Sequence, residues 1–401
     1  MGSSKAKRLE ILLITITTFL ILLLLSLIPF DRLTFLSPVG QAFSDLDFND
    51  LVFSQLREEQ PADTNIVLVN IGNLDRAGIA RQVQIINQYH PRVIGVDAFF
   101  YVKKDRTQDS LLQDAFSKTS NLVLVNRVLN FNSETNIYDS VATSNQMFNS
   151  YAKDGYANLP DEGSASFRTI RKFAPYINYK NEKVPAFSSR IAEIVNSRAI
   201  ETLQKRDNEF EIINFLGNTN KFYTLDIDEL FTRSEELYFL KDKIVLMGYM
   251  GSDLTSKNLE DMFFTPLNSK YAGKTFPDMY GIVIHANIIS MILHKNYINA
   301  MPNILALIIA FIICYLNVAF LTYLNSKYRD WFRAVTKIWL FLLSVLFLFL
   351  TVIVFNYFNY KFSLTYAAVI IFISVTGMDI YHLYLARLFV KLKRKTTGNT
   401  Q

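Results

Sequence analysis

Short apolar runs in this chain end in polar side chains that could do chemistry. Asn70 and Asn73 follow Ile66–Val69, Asp97 follows Val93–Val96, Asn126 and Arg127 follow Leu122–Val125, and Ser252 and Asp253 come shortly after Ile244–Met247. If these runs are parallel strands, their carboxyl ends form the crevice where open α/β sheets take ligands. Amides, one arginine and two aspartates suit a small polar ligand. The same residue types also cap loops and helices, so both readings of the set stand open. Asp97, followed by Phe99 and Phe100, is either an acceptor for a ligand or a carboxylate that ties down a loop.

Other constellations point away from catalysis. His285 and Asn287 share the start of a helical pattern, but the remaining histidines, His90, His294 and His382, build no metal set with them. Their expected role, with Pro302, is structural: locking a terminal helix to the sheet and linking it to the next segment. The run GYMGSD at Gly248–Asp253 follows a strand but lacks the lysine and spacing of a phosphate-binding loop. No G-x-S-x-G elbow is present. The single cysteine, Cys314, lies in an apolar segment, which excludes thiol chemistry and disulfides elsewhere. The expectation is no enzyme, no metal and no cofactor.

The elements that must position these residues are legible as alternating patterns. Ile66–Ile71, Val93–Val96, Leu122–Val125 and Ile244–Met247 read as buried strands. Arg76–Gln88, with Ile79, Val83 and Ile86, and Thr107–Lys118, with Leu111, Leu112, Ala115 and Phe116, read as helices between them. Such alternation implies βαβ units and a mainly parallel sheet covered on both faces. Residues 130–220 read as an antiparallel extension, with turns at Phe131–Ser140, a strand pair at Gly155–Asn158 and Thr169–Tyr176, and a helix at Pro185–Arg198. Gly281–His294 has helical spacing and runs within about eight residues to Pro302.

Around this body lie apolar segments of bilayer length, Ile11–Pro29 and three more between Ile304 and Val390. The expected organisation is a cytoplasmic N-terminus (1–10), a first span (11–30), the α/β body (31–302), a second span (303–324), a cytoplasmic loop (325–336), third and fourth spans (337–356 and 362–386) and a basic tail (387–401). The net charge of +5 conceals a division: residues 31–300 carry 28 Lys and Arg against 33 Asp and Glu, and the remainder carries 13 against 3. The basic residues therefore flank membrane spans rather than form a nucleic-acid surface. Lys5, Lys7, Arg8, Lys327, Arg329, Arg333 and Lys337 place the termini and the loop inside and the body outside. Asp379 and His382 share a face of the last span, as an interfacial pair or as a polar contact within the membrane.

At these residues the body resembles the CHASE2 family of extracytoplasmic sensor domains from bacterial membrane receptors. The resemblance rests on IVLVNIG … PRVIGVDAFF, DSLLQDAF, GYANLPDEGSASFR, the Pro185–Ser188 run, KDKIVLMGYMGSD, Thr265–Leu267 and the G-x-x-x-H-A-N segment Gly281–Asn287. It implies a multi-pass protein of the bacterial inner membrane, with the body facing the periplasm, and a homodimer as the assembly. Two departures stand out. Asn70 and Gly72 replace acidic residues usual after the first strand, and no cyclase or kinase follows before Gln401. The function expected is a non-catalytic sensor or adaptor that binds a small ligand or envelope protein and relays its state to a membrane partner. A structural or assembly subunit of an envelope complex is the alternative.

Overall fold

The structure is a computed structural model that describes residues 2–27, 53, 56–132, 137–159, 169–180, 182–254, 259–268, 276–361 and 365–386. The basic tail from 387 onward and residues 160–168 of the Gly155–Arg168 motif lie outside the described residues. The chain divides into two compact units, residues 41–298 and residues 1–40 with 299–401.

The first unit is built on a nine-stranded sheet. Its strands are β1 (Asp63–Asn70), β2 (Val93–Asp97), β3 (Leu122–Asn132), β4 (Ile137–Ala142), β5 (Lys153–Tyr156), β6 (Tyr176–Tyr179), β7 (Glu182–Pro185), β8 (Phe222–Leu225) and β9 (Ile244–Gly248). They are ordered β8-β1-β9-β2-β3-β4-β6-β7, with β5 also on β3. Five pairings join β8, β1, β9, β2, β3 and β5 in parallel, while β3–β4 and β6–β7 are antiparallel. The fold is thus mixed α/β with a mostly parallel sheet and an antiparallel extension.

Alternation along the strands sends one set of side chains to each face. Val67, Val69, Ile94, Val96 and Met247 join the core under helices α2 (Arg76–Gln88) and α3 (Arg106–Ser117). Both helices start on an aspartate: Asp75 accepts from the Gly78 amide and Asp105 from the Gln108 amide. A buried ion pair between Arg76 and Asp109 ties the two together, and Asp109 also takes the Lys104 amide at 2.9 Å. The other face carries α4 (Phe187–Val195), α5 (Ser197–Arg206) and α7 (Gly281–His294), while the short α6 (Ile227–Thr232) follows β8. Gly95 and Gly155 are where α4 approaches. A Cβ on Gly95 would lie 2.6 Å from Ile191 Cδ1, and one on Gly155 would lie 2.7 Å from the Phe187 Cα.

The structure departs from the sequence pattern at several points. Leu111 is 44 % exposed, because α3 buries the stripe of Leu112, Ala115 and Phe116 instead. Ile137–Ser140 is strand, paired with the long β3, where turns were expected. The expected pairing of 155–158 with 169–176 does not form. β5 adds in parallel to β3, and Lys172–Phe173 pairs with Glu211–Ile212. The single helix expected at Pro185–Arg198 is two, broken at Asn196, whose backbone is extended (φ −154°, ψ 96°).

The second unit holds α1 (Gly2–Ser26), α8 (Asn303–Lys327), α9 (Phe332–Phe358) and α10 (Thr365–Ile380), which continues into a π-helical turn at Tyr381–Leu385. Among the described residues three helices are long and apolar enough to cross a membrane, over Lys5–Leu25, Asn303–Lys327 and Arg329–Phe358; Val369–Leu385 is shorter. Helix covers most of the expected 325–336 loop, leaving a 3-10 turn at Arg329–Trp331 between α8 and α9. Pro302 is the residue before α8 rather than in its first turn, and its carbonyl accepts from the Ala306 amide. Asn299–Ala300 pairs in parallel with Tyr360–Lys361, which holds the start of α8 beside the end of α9. His382 lies 3.7 Å from Glu10, bringing the end of α10 to the start of α1.

Because Gly155 sits against backbone that has no side chain to rotate away, Gly155→Ala will destabilise the body by about 1–3 kcal/mol. Thermal unfolding followed by circular dichroism measures this, and an unchanged midpoint would contradict the close approach of β5 and α4.

Candidate functional site

The register sets the carboxyl ends of the central strands side by side, with Asn70 opposite Gly248 and Gly248 opposite Asp97. At normal strand spacing this separates Asn70 from Asp97 by roughly 10 Å. Asn70 is fully buried and all four of its hydrogen-bonding positions are used. Its Nδ2 donates to Asp226 Oδ1 (3.0 Å) and the Gly251 carbonyl (3.2 Å), and its Oδ1 accepts from the Gly72 (3.0 Å) and Met250 (2.9 Å) amides. Asp226 extends the knot by capping α6 and accepting the Leu254 amide. Gly72 takes a positive φ of 43° to make this turn. The amide that sequence offers as a ligand contact is an internal clamp on the loops covering β1 and β9.

The other members of the set are spread apart. Asn73 is exposed, and Ser252 hydrogen-bonds weakly to its neighbour Asp253 at 3.4 Å. Asn126 is buried and donates to Asp154 (3.2 Å), while its Oδ1 finds no partner among the described residues. Arg127 is exposed near Tyr101, which stacks on Phe99 at 5.0 Å. Asp97 is the member whose chemistry is unusual. Among the described residues no donor or cation pairs with its carboxyl group, which desolvation and then the like charge of Asp261 push up to about 7. Asp261 is itself exposed, so water screens the second contribution and desolvation dominates.

His285 and Asn287 are held inside the body by hydrogen bonds to other elements. His285 is buried, edge-on to Phe187 (5.3 Å), with Nδ1 2.8 Å from the Ser188 hydroxyl on α4. Burial pushes it down to about 4, against the opposing hydrogen bond with the Ala157 backbone, so the ring is neutral at pH 7. Asn287 Oδ1 accepts the Leu216 (2.7 Å) and Gly217 (3.2 Å) amides, and its Nδ2 donates to the Gly217 and Val283 carbonyls, both at 2.9 Å. About one turn beyond Asn287 on α7, Ser290 donates to Asp63 at the start of β1 (2.7 Å). Asp379 is exposed, and His382 faces Glu10.

Two clefts in the body are lined by residues that the sequence pattern did not single out. One, of about 770 Å³, opens at the amino ends of the strands among Asp63, Arg92, Glu193, Arg198, Asp242 and His294. Another, of about 940 Å³, runs past Arg57, the 215–221 loop and Tyr280. Arg57 had no signal to find it, since its partners lie more than 150 residues away. Among the described residues no group of three His, Cys, Asp or Glu side chains converges to hold a metal ion.

A profile of the CHASE2 domain matches residues 16–322, most of the chain and all of the α/β body. The protein belongs to the CHASE2 domain family, whose members are extracytoplasmic sensor modules. No curated protein and no solved structure matches it.

Two outcomes check these assignments. The folded Asp97 carboxyl holds its proton more tightly than in the unfolded chain, so its ionisation opposes folding increasingly as pH rises from about 4 to about 7. Asp97→Asn will therefore raise the thermal midpoint at pH 8, and the gain will vanish near pH 4; a lowered midpoint at pH 8 would mean the carboxylate is required as an acceptor. Asn287→Ala leaves three buried backbone groups of the 216–217 loop without partners and will cost about 2–4 kcal/mol in denaturant titration.

Proposed function

We propose that the protein is a non-catalytic sensor or adaptor of the bacterial inner membrane. In this reading α1, α8, α9 and α10 cross the bilayer four times, and the body, residues 31–302, faces the periplasm. The body binds a ligand or an envelope protein, and its state passes to a separate membrane partner. Lys327, Arg329, Arg333 and Lys337 are all exposed around the α8–α9 turn, which favours that turn as the cytoplasmic surface met by the partner. Positions where chemistry could occur are instead used to hold the fold: Asn70 by its four hydrogen bonds, His285 by its enclosure as a neutral ring.

The observation that carries the relay is the path of the chain after α7. Twelve of its fourteen residues are buried, it is stapled to α4, to the 216–217 loop and to β1, and only residues 295–302 separate it from α8. A change in the body that shifts α7 has a short covalent route to an apolar helix. A ligand drives such a change only through different affinities for the two arrangements. An assembly subunit would use the same surface as a fixed dock and need no such coupling.

Inserting a flexible Gly-Ser-Gly-Ser segment after Asn296 separates the two readings. Quantitative mass spectrometry of material purified in mild detergent from native membranes is expected to show a partner whose ratio to the protein changes on insertion. A ratio that is unchanged and stoichiometric supports the assembly subunit, and no enriched membrane partner overturns relay to a separate protein.

A further inference from the structure

The cleft of about 940 Å³ contains a cation, Arg57, without a counter-ion among the described residues. Arg57 donates from Nη1 to Asn214 Oδ1 (2.6 Å) and to the Phe215 carbonyl (3.3 Å), and its guanidinium lies 5.2 Å from the centre of the Phe53 ring. These acceptors are neutral. No carboxylate of the described residues reaches ion-pair distance, and burial alone pushes the guanidinium down to about 10. Nε and Nη2, the edge that pairs side-on with a planar anion, have no acceptor among the described residues.

Two of the acids nearby are committed elsewhere. Glu59 pairs with Lys221 at 2.6 Å, neutralising the other cation of the wall. Asp278 accepts from the Thr265 amide (2.8 Å) and hydroxyl (2.5 Å). Glu58 is exposed and makes no ion pair. The rest of the wall mixes the apolar side chains of Phe53, Phe215, Leu254, Leu259 and Phe276 with polar residues of the 218–220 segment, and Phe276 is 73 % exposed. Small-molecule sites span about 300–1,000 Å³ and combine apolar walls with a few convergent polar groups, and this cleft has both, with Arg57 the cation that lacks an ion pair among the described residues. A desolvated cation held only by neutral acceptors is costly unless an anion completes it.

We propose that this cleft binds an organic carboxylate with an apolar aromatic or alkyl body, the carboxylate pairing with Nε and Nη2 of Arg57 and the body lying against the Phe53–Phe215 side. The proposal rests on the body being a ligand-binding sensor and names the ligand class that sensor takes. It places recognition beside the 215–221 loop, the loop that Asn287 fastens to α7, rather than at the carboxyl ends of the strands.

The test uses the full chain in nanodiscs of zwitterionic lipid and isothermal titration with 3-phenylpropionate, decanoate and their primary amides. At least one acid is expected to bind saturably at one per chain, and its amide at least roughly tenfold more weakly, the worth of a charge-assisted pair. Arg57→Gln is expected to lose binding by a similar factor with its circular dichroism and thermal midpoint retained. Leu259→Trp, which fills the cleft from an exposed position and leaves the charge in place, is expected to weaken it as well. Preference for 3-phenylpropionate indicates a water-borne ligand, and preference for decanoate one that partitions from lipid. Should Arg57→Gln fail to fold, the acid–amide comparison and Leu259→Trp decide. Absence of saturable binding by either acid, equal binding of acid and amide, or full binding by folded Arg57→Gln overturns the proposal. Failure here alongside a partner ratio that still responds to the Asn296 insertion removes the carboxylate site and leaves the relay. Binding here with an unresponsive ratio does the reverse.

Discussion

A helix that is apolar on every side must be enclosed on every side, and α7 imposes that constraint on the body. Its sequence, GIVIHANIISMILH, has no polar stripe to turn to solvent, and residues 281–292 are all buried. The three polar groups it takes inside then each need a partner. His285 finds the Ser188 hydroxyl, Asn287 finds the 216–217 backbone, and Ser290 finds Asp63. Those partners lie on a helix, a loop and the first strand, so satisfying α7 fixes the relative positions of elements far apart in the chain. Leaving any of these groups unpaired would cost about as much as a large fraction of a domain's net stability.

The same enclosure determines how charge behaves. His285 is driven down to about 4 and Asp97 up to about 7 by a common cause, removal of the charged form from water. The consequences for stability run in opposite directions. A neutral buried histidine favours the fold above about pH 6.5 and loses that contribution as pH falls towards 4, whereas the Asp97 carboxyl opposes folding as pH rises. Between them the body has no reason to be most stable at either extreme. Arg57 differs from both, since a guanidinium keeps its charge when it is desolvated.

How much of this was legible depended on distance along the chain. Arg76–Gln88 and Gly281–His294 have the bounds their apolar spacing implies, and the four central strands appear where their β-branched runs place them. These are local patterns, enforced by burial on both faces of a sheet. β4 and β8 were hidden because Ile137–Ala142 and Phe222–Leu225 are short and only partly buried, so partner strands rather than their own periodicity define them. At the candidate site, the sequence marks strand-end residues but not their use. Asn70 looks the same on paper whether it meets a ligand or, as here, Asp226 and Gly251, more than 150 residues away. His285 and Asn287 lie on a helix whose apolar spacing was readable, but their partners on α4 and in the 216–217 loop were not.

Within the helical unit the chain's geometry is antiparallel. The pairing of Asn299–Ala300 with Tyr360–Lys361 sets the entry to α8 beside the exit from α9, while Glu10 and His382 join the start of α1 to the end of α10. This arrangement, with basic residues at the α8–α9 turn, supports a body displayed on the outer side. Thiol labelling measures that placement directly, because Cys314 is the sole cysteine and is buried. With Asp139→Cys, on the exposed side of β4, a membrane-impermeant maleimide added to intact spheroplasts should label the protein fully, whereas Asn325→Cys should label only after lysis. Labelling of Asp139→Cys solely after lysis would place the body in the cytoplasm and contradict the sensor account.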